Sequence, residues 1–184
     1  MSGRQINLDS AERLLADIPG AIEKAASLAF NRAVMQGRTA ATREATAKYT
    51  AKAKTIRPTF KMKKASKNRL DAALISAGDA IPLKEFSVKP STDTTGKNRK
   101  QLSVSVRKDT GSKAFNRAFI SAKKGGNVFE REGKSRLPIK KLYGPAVPSM
   151  LGNAEVSEEV QDFMAEVAAK RLDHEVKRIL EKGK

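Results

Sequence analysis

The sequence contains no cysteine, no tryptophan and one histidine, and only 5% of its residues are aromatic. The absence of cysteine excludes disulfides, thiolate metal ligands and cysteine nucleophiles. A single histidine, His174, excludes a site with several histidine ligands, and we expect it to be an ordinary helical residue. No apolar run approaches the roughly 20 residues of a membrane-spanning helix, and residues 1–10 lack the apolar region of a signal peptide. We therefore expect a soluble protein that is intracellular when made.

Motifs of catalysis and nucleotide binding are also missing. Neither GxGxxG nor GxxxxGK[ST] occurs, and no serine lies in a GxSxG pattern. The seven carboxylates of residues 51–150 are scattered among basic side chains, whereas a glycosidase or a two-metal nuclease needs carboxylates brought together. We predict no catalytic residue, no metal site and no cofactor.

Positive charge is abundant and unevenly distributed. The net charge is +17, and residues 51–150 hold 24 Lys/Arg against seven Asp/Glu, so this middle part carries the whole excess. A field of this size attracts polyanions, nucleic acid above all, and is screened over about 8 Å at physiological salt. Two other interpretations stay open, a solvated basic face and a surface that meets an acidic protein.

The order of predicted elements is helix, strands, helix. Apolar residues at helical spacing predict a long N-terminal helix, with a break at Pro19 and Gly20, and an amphipathic C-terminal helix. Alternating apolar residues, clearest in QLSVSVRK, predict an antiparallel sheet of about four or five strands. We expect one α+β domain over residues 1–184. Its parts are a helical region (10–50), a basic segment (51–69), the sheet (70–135) with a mobile loop (90–100), a Pro-rich connection (136–151) and the C-terminal helix (153–182).

Two of these parts can be interpreted in more than one way. The basic segment, with Pro58 near its start, is either a solvated arm or a short basic helix. The Pro-rich segment cannot be a central strand, because Pro138, Pro145 and Pro148 have no backbone N–H to donate. It either covers the core of its own chain or contacts a neighbouring subunit.

Known nucleic-acid-binding modules are absent from the pattern. There is no zinc-finger spacing, no heptad zipper and no aromatic strand of the kind that stacks on RNA bases. With seven Phe and two Tyr, most of the Phe at apolar positions, base stacking is a poor expectation. Any contact with DNA should therefore involve phosphates and be independent of sequence and strongly dependent on salt.

Several stretches, taken in order, resemble one known family. They are IPGAIEKAASLAFNRA, Tyr49, KMKKASKNRLDAALI, the hairpin AFISAKKGGNVFERE, and RLPIKKLYGPAVPSML. From about Ile18 to Leu180 the chain resembles the minor tail protein Z family of tailed bacteriophages and prophages, most strongly between Phe115 and Leu151.

The resemblance implies a structural virion protein without enzymatic activity. Its expected role is tail completion at the head-proximal end of the tail, in the neck, where the tail terminator meets the head-to-tail connector. Its expected form is a homo-oligomer, a hexameric ring around the DNA channel, made in the cytoplasm of the host bacterium. Such a ring needs positive charge that contacts DNA without recognising its bases, and it needs surfaces that become buried only on assembly.

Two sets of candidate residues follow. Those for a surface that faces DNA or an acidic partner are Arg57, Lys61, Lys63, Lys64, Lys67, Lys97, Arg99 and Lys100. Those for contact with a subunit or another neighbour are Leu142, Tyr143, Pro145, Val147 and Pro148. The unit Asn31-Arg32-Ala33 is better explained by helix packing plus a salt bridge than by a binding site.

Two further function classes stay open. A free-standing nucleic-acid-binding protein without sequence preference would also explain the charge, and would bind phosphates as a monomer or dimer. An enzyme such as a nuclease would need carboxylates that only the fold could bring together.

Overall fold

The computed structural model describes residues 8–95, 100–152 and 154–182. Within these ranges the chain has five α-helices and ten short strands. The helices are α1 (Leu8–Leu15), α2 (Ala21–Lys48), α3 (Ala53–Ile56), α4 (Val147–Leu151) and α5 (Ala154–Lys182). The strands are β1 (Phe60–Lys63), β2 (Ala73–Ser76), β3 (Ala80–Pro82), β4 (Ser87–Lys89), β5 (Leu102–Ser105), β6 (Lys113–Phe115), β7 (Ala118–Ser121), β8 (Asn127–Arg131), β9 (Ile139–Lys141) and β10 (Tyr143–Ala146).

The predicted α+β class is confirmed, but the strands do not form one sheet of four or five strands. The described strands make four small antiparallel sheets, β1–β2, β3–β10, β4–β5–β6 and β7–β8–β9. A 3-10 turn at Leu83–Glu85 separates β3 from β4, and Pro90 follows β4 directly. The described strands are three to five residues long, and the turn after β3 and the proline after β4 stop these two strands from extending.

The chain is divided into two compact units. The first comprises the described parts of residues 1–42, 60–76 and 153–184, and the second comprises the described parts of residues 43–59 and 77–152. The expectation of a single domain over the whole chain stays a prediction.

The first unit has an alanine-rich helical core. Ala11 and Leu15 of α1 and Ala25 of α2 pack with Leu172 and Val176 of α5. Small alanine side chains allow close approach of helix backbones, and burial of the larger apolar side chains stabilises the unit by about 25 cal/mol per Å². The predicted break between the first two helices is confirmed, since Pro19 lacks an N–H and Gly20 has φ +69°.

Helices α2 and α5 approach each other closely at Gly37. A Cβ atom at this position would lie 2.4 Å from Sδ and 2.6 Å from Cγ of Met164. These distances are shorter than any ordinary contact between heavy atoms, so only glycine fits without a shift of the methionine.

In the second unit, the described part of the predicted mobile loop is bonded to β7. Thr94, 2% exposed, donates its N–H to the Ile120 carbonyl (3.1 Å) and accepts from the Ile120 N–H through Oγ1 (2.9 Å). Asp93 Oδ2 accepts from the Ala122 N–H (2.7 Å). Hydrogen bonds from the Thr95 hydroxyl first, and then from the Ala122 N–H, hold the pKa of Asp93 below its usual range. Polar side chains thus anchor residues 93–95 by bonding to backbone groups.

Candidate polyanion-binding surface

The described lysines of the predicted basic surface lie mainly on the hairpin of β1 and β2, in the first unit. The register pairs Lys61 with Ile75 and Lys63 with Ala73, so these four side chains share one face of the ribbon. Phe60, 7% exposed, lies on the opposite face. Alternation along β1 therefore turns apolar side chains inward and lysines outward. The basic segment contains a short helix, α3, but its lysines from Lys61 to Lys67 lie on β1 and on the turn after it, and not on a helix or a solvated arm.

A tight turn at the tip of this hairpin exposes more positive charge. The Ser66 N–H donates to the Arg69 carbonyl (2.9 Å), and the Arg69 N–H donates to the Ser66 carbonyl (3.1 Å). Lys67 lies inside this turn and is exposed, as is Lys64 just before it. Four of the predicted cations, Lys61, Lys63, Lys64 and Lys67, are thus brought onto one structural element.

Asn31 of α2 attaches the hairpin to the helices of the first unit. Its Nδ2 donates to the Ala65 carbonyl (3.0 Å), and its Oδ1 accepts from the Ala65 N–H (2.8 Å). Ala65 is 7% exposed, and Ala33 of the same helix is 3% exposed. Asn31 thus satisfies both backbone groups of a buried residue, which is a packing role, as the sequence indicates.

One carboxylate offsets part of this charge. Residues 60–76 carry five Lys/Arg and one acidic residue, Asp71. Lys63 Nζ lies 2.5 Å from Asp71 Oδ2, and the hydrogen bond from Lys63 holds the pKa of Asp71 below its usual range. Because both partners are exposed, the pair contributes little to stability, and a net positive field stays on the hairpin.

The remaining predicted cations lie elsewhere. Arg57 is exposed in a 3-10 turn (Arg57–Thr59), and Lys100 is exposed before β5; both belong to the second unit. Lys97 and Arg99 lie outside the described residues. That these residues face DNA or an acidic partner stays a prediction.

The Pro-rich segment of the second unit has more regular structure than its composition indicates. It forms β9 at the edge of one sheet, then β10 paired with β3, then α4 with Pro148 in its first turn. These are the places where a sheet or helix tolerates proline. Gly144 allows β10 to approach Phe86, because a Cβ there would lie 2.6 Å from the Phe86 ring.

The five predicted contact residues of this segment differ in accessibility. Val147 is 1% exposed within its own chain, which agrees with core cover, and Tyr143 is 51% exposed. Leu142 is half-buried; its N–H donates to the Val128 carbonyl (2.9 Å) and its carbonyl accepts from the Leu83 N–H (3.1 Å). Pro145 and Pro148 are half-buried. Contact of these residues with a neighbour stays a prediction.

A second cationic cluster, which linear spacing does not indicate, lies in the second unit. Arg117, Arg131, Gly133 and Lys134 line one cleft of the second unit. Arg117 and Arg131 are distant in sequence, but the hairpin around Gly125 and Gly126 has a register that pairs Ala118 with Glu130. Extending that register by one residue places Arg117 opposite Arg131.

A buried carboxylate of α5 forms ion pairs with two arginines of the same helix. Glu175 is fully buried; its Oε1 lies 2.6 Å from Arg171 Nη2, and its Oε2 lies 2.5 Å from Arg178 Nη2. Two guanidinium groups thus neutralise this buried carboxylate. The His174 side chain is 58% exposed. Within the described ranges, no three His, Asp or Glu side chains are grouped as metal ligands, and no helix is long and apolar enough to cross a membrane.

Comparison with known proteins gives one match. The family described as prophage minor tail protein Z (GPZ) matches residues 7–182, nearly the whole chain. No curated protein and no solved structure matches the chain.

Proposed function

The chain belongs to the prophage minor tail protein Z family, and on that basis we propose that it is a tail completion protein of the virion. It acts in the neck, at the head-proximal end of the tail, between the tail terminator and the head-to-tail connector. Its work is structural, and the chain carries no catalytic step. The observation that carries this proposal is the family match over residues 7–182.

In this role the protein assembles as a ring of six copies that matches the six-fold symmetry of a tail. Exposed apolar side chains support assembly, because a ring would cover them. Leu28 and Met35 are 38% and 46% exposed and lie seven residues apart on α2, hence on one face. Leu137 and Tyr143 of the Pro-rich segment are 66% and 51% exposed. Both sets offer apolar area to a neighbouring subunit.

The β1–β2 hairpin supplies the contact with genome DNA, or with an acidic neighbour in the neck. Lys61, Lys64 and Lys67 are exposed, and no carboxylate of the described residues lies within 4 Å of their ammonium groups. Lysine side chains act as point charges toward phosphate, and such contacts carry no sequence information. Contacts of this kind suit a channel through which DNA of every sequence passes.

The test combines particle mass with DNA binding. Light scattering of the purified protein, alone and with isolated tails that lack it, is repeated over a salt series. A ring-sized particle, or a monomer that joins such tails and restores their attachment to heads, is expected. A stable monomer that never joins tails would contradict the role and favour a free-standing nucleic-acid-binding protein.

The hairpin is tested with Lys61→Gln, and Lys177→Gln of α5 is the matched control that removes the same charge elsewhere. The binding constant falls as salt rises, and each lost phosphate contact makes the slope of log Kobs against log salt less steep by about 0.9. K61Q should therefore reduce the slope by about one for a random-sequence duplex, and K177Q should leave it unchanged. Equal slopes for the two variants would remove the hairpin from the DNA contact.

A further inference from the structure

The β7–β8 hairpin brings two arginines together at its open end. The register pairs Ala118 with Glu130, so Arg117, one residue before β7, lies opposite Arg131, the last residue of β8. Residues that are directly opposite on antiparallel strands point to the same face. Both arginines line one cleft together with Gly133 and Lys134.

Other groups of the unit fix the two guanidinium groups. Arg117 Nη2 donates to the Gly133 carbonyl (2.8 Å), and Arg131 Nη1 donates to the Arg136 carbonyl (3.1 Å). The guanidinium carbon of Arg131 also lies 5.1 Å from the centroid of the Phe119 ring. A guanidinium has five N–H donors, so each arginine is held in place and keeps donors for a ligand.

No carboxylate among the described residues lies within ion-pair distance of either arginine. Two acidic residues flank Arg131 in sequence. Glu130 points to the other face of the sheet, with its Oε2 3.3 Å from Lys140 Nζ, and Glu132 is exposed and forms no ion pair with either arginine. Like charges that face each other across a strand pair destabilise it, and Lys134 adds a third. Repulsion between these positive charges therefore destabilises the hairpin, and a bound anion would offset that repulsion.

We propose that this cleft binds a phosphate group. Phosphate presents several oxygens to cations that converge from different sides, and arginine forks match its geometry with two parallel N–H···O bonds. The phosphate belongs to a nucleic-acid backbone or to a small phosphate ligand. The proposal stands on residues other than the β1–β2 hairpin and does not depend on the tail-completion role.

The test uses the full chain and five proteins: wild type, Arg117→Gln, Arg131→Gln, Arg131→Lys and the control Lys108→Gln, which removes an exposed charge outside the cleft. Binding of inorganic phosphate is measured by calorimetry at constant ionic strength, and binding of labelled duplex and single-stranded DNA by anisotropy. Thermal unfolding in chloride confirms that each variant is folded.

R117Q and R131Q should weaken phosphate binding roughly tenfold or more, because each loses charge-assisted hydrogen bonds. R131K, which keeps the charge and loses the fork, should be intermediate, and K108Q should match the wild type. If the two glutamine variants also weaken DNA binding and phosphate competes with DNA, the source is a nucleic-acid backbone. If phosphate binds and DNA does not, the source is a small ligand. Equal affinities of R117Q, R131Q and K108Q, or no phosphate binding by the folded wild type, would overturn the proposal.

Discussion

Asn31→Ala should destabilise the first unit and release the basic hairpin from α2. The change removes two hydrogen bonds, of 2.8 and 3.0 Å, to the backbone of Ala65. Because Ala65 is 7% exposed, water cannot easily replace them. A net hydrogen bond contributes about 1 kcal/mol, and an unsatisfied buried group costs about 1–3 kcal/mol. We expect the free energy of unfolding to fall by about 2–4 kcal/mol.

The assay is urea denaturation combined with hydrogen exchange of the Ala65 amide. Asn31→Asp keeps an acceptor for the Ala65 N–H but turns a second acceptor toward the Ala65 carbonyl, so it should also cost clearly more than Q161A. Gln161→Ala removes an exposed amide of α5 and should change stability by no more than about 0.5 kcal/mol. Equal costs of N31A and Q161A, with unchanged protection of the Ala65 amide, would refute the anchoring role of Asn31.

Three further perturbations test other parts of the structure. Gly37→Ala places a methyl group against Met164 and should cost about 1–3 kcal/mol in urea denaturation, and Met164→Ala should make the same glycine change nearly neutral or favourable in a double-mutant cycle. The hydrogen bond from Thr95 lowers the folded-state pKa of Asp93. The stabilisation that the ionised Asp93 contributes is therefore complete above the unfolded value of 3.8 and is lost as the pH falls through the lower folded value. The difference in unfolding free energy between wild type and Asp93→Asn should shrink over that range, and a difference that grows instead would contradict the role of Asp93. Glu175→Ala leaves two arginines without their shared partner and should lower the free energy of unfolding by about 1–3 kcal/mol. This loss is smaller than for a fully buried pair, because both arginine side chains are 39% exposed. An effect no larger than that of removing an exposed glutamate of α5 would contradict this.

Helices and the clearest hairpin could be predicted from sequence because their signals are local. The apolar stripe of α5 repeats over many turns, and Pro19 with Gly20 stops one helix before the next begins. Gly125 and Gly126 have φ of +71° and +65°, as a hairpin turn at this point requires. In each case the physical cause lies within a few residues of the effect.

Features that depend on strand partners could not be predicted in the same way. The strands are three to five residues long, and alternation over such a length indicates a strand without indicating its neighbour. The division into four sheets and the pairing of β3 with β10 therefore depend on contacts between residues that are distant in sequence. The basic segment is a harder case, because its lysines indicate a solvated arm or a short helix, whereas Phe60 and Met62 alternate with lysines as in a half-buried strand.

The two candidate surfaces differ in whether local sequence predicts them. Lys61, Lys63, Lys64 and Lys67 are close in sequence, so their grouping was predictable from composition. Arg117 meets Arg131 only through the register of β7 and β8. A charge count along the chain does not contain that information.

The central claim is that this protein completes the tail in the neck of the virion. Electron cryomicroscopy of particles, with and without the protein, tests it most directly. A six-fold ring at the head-proximal end of the tail is expected in complete particles, and its loss, together with unattached heads and tails, is expected when the protein is missing. Complete infectious particles that form without the protein, or density for it at another site, would contradict the account.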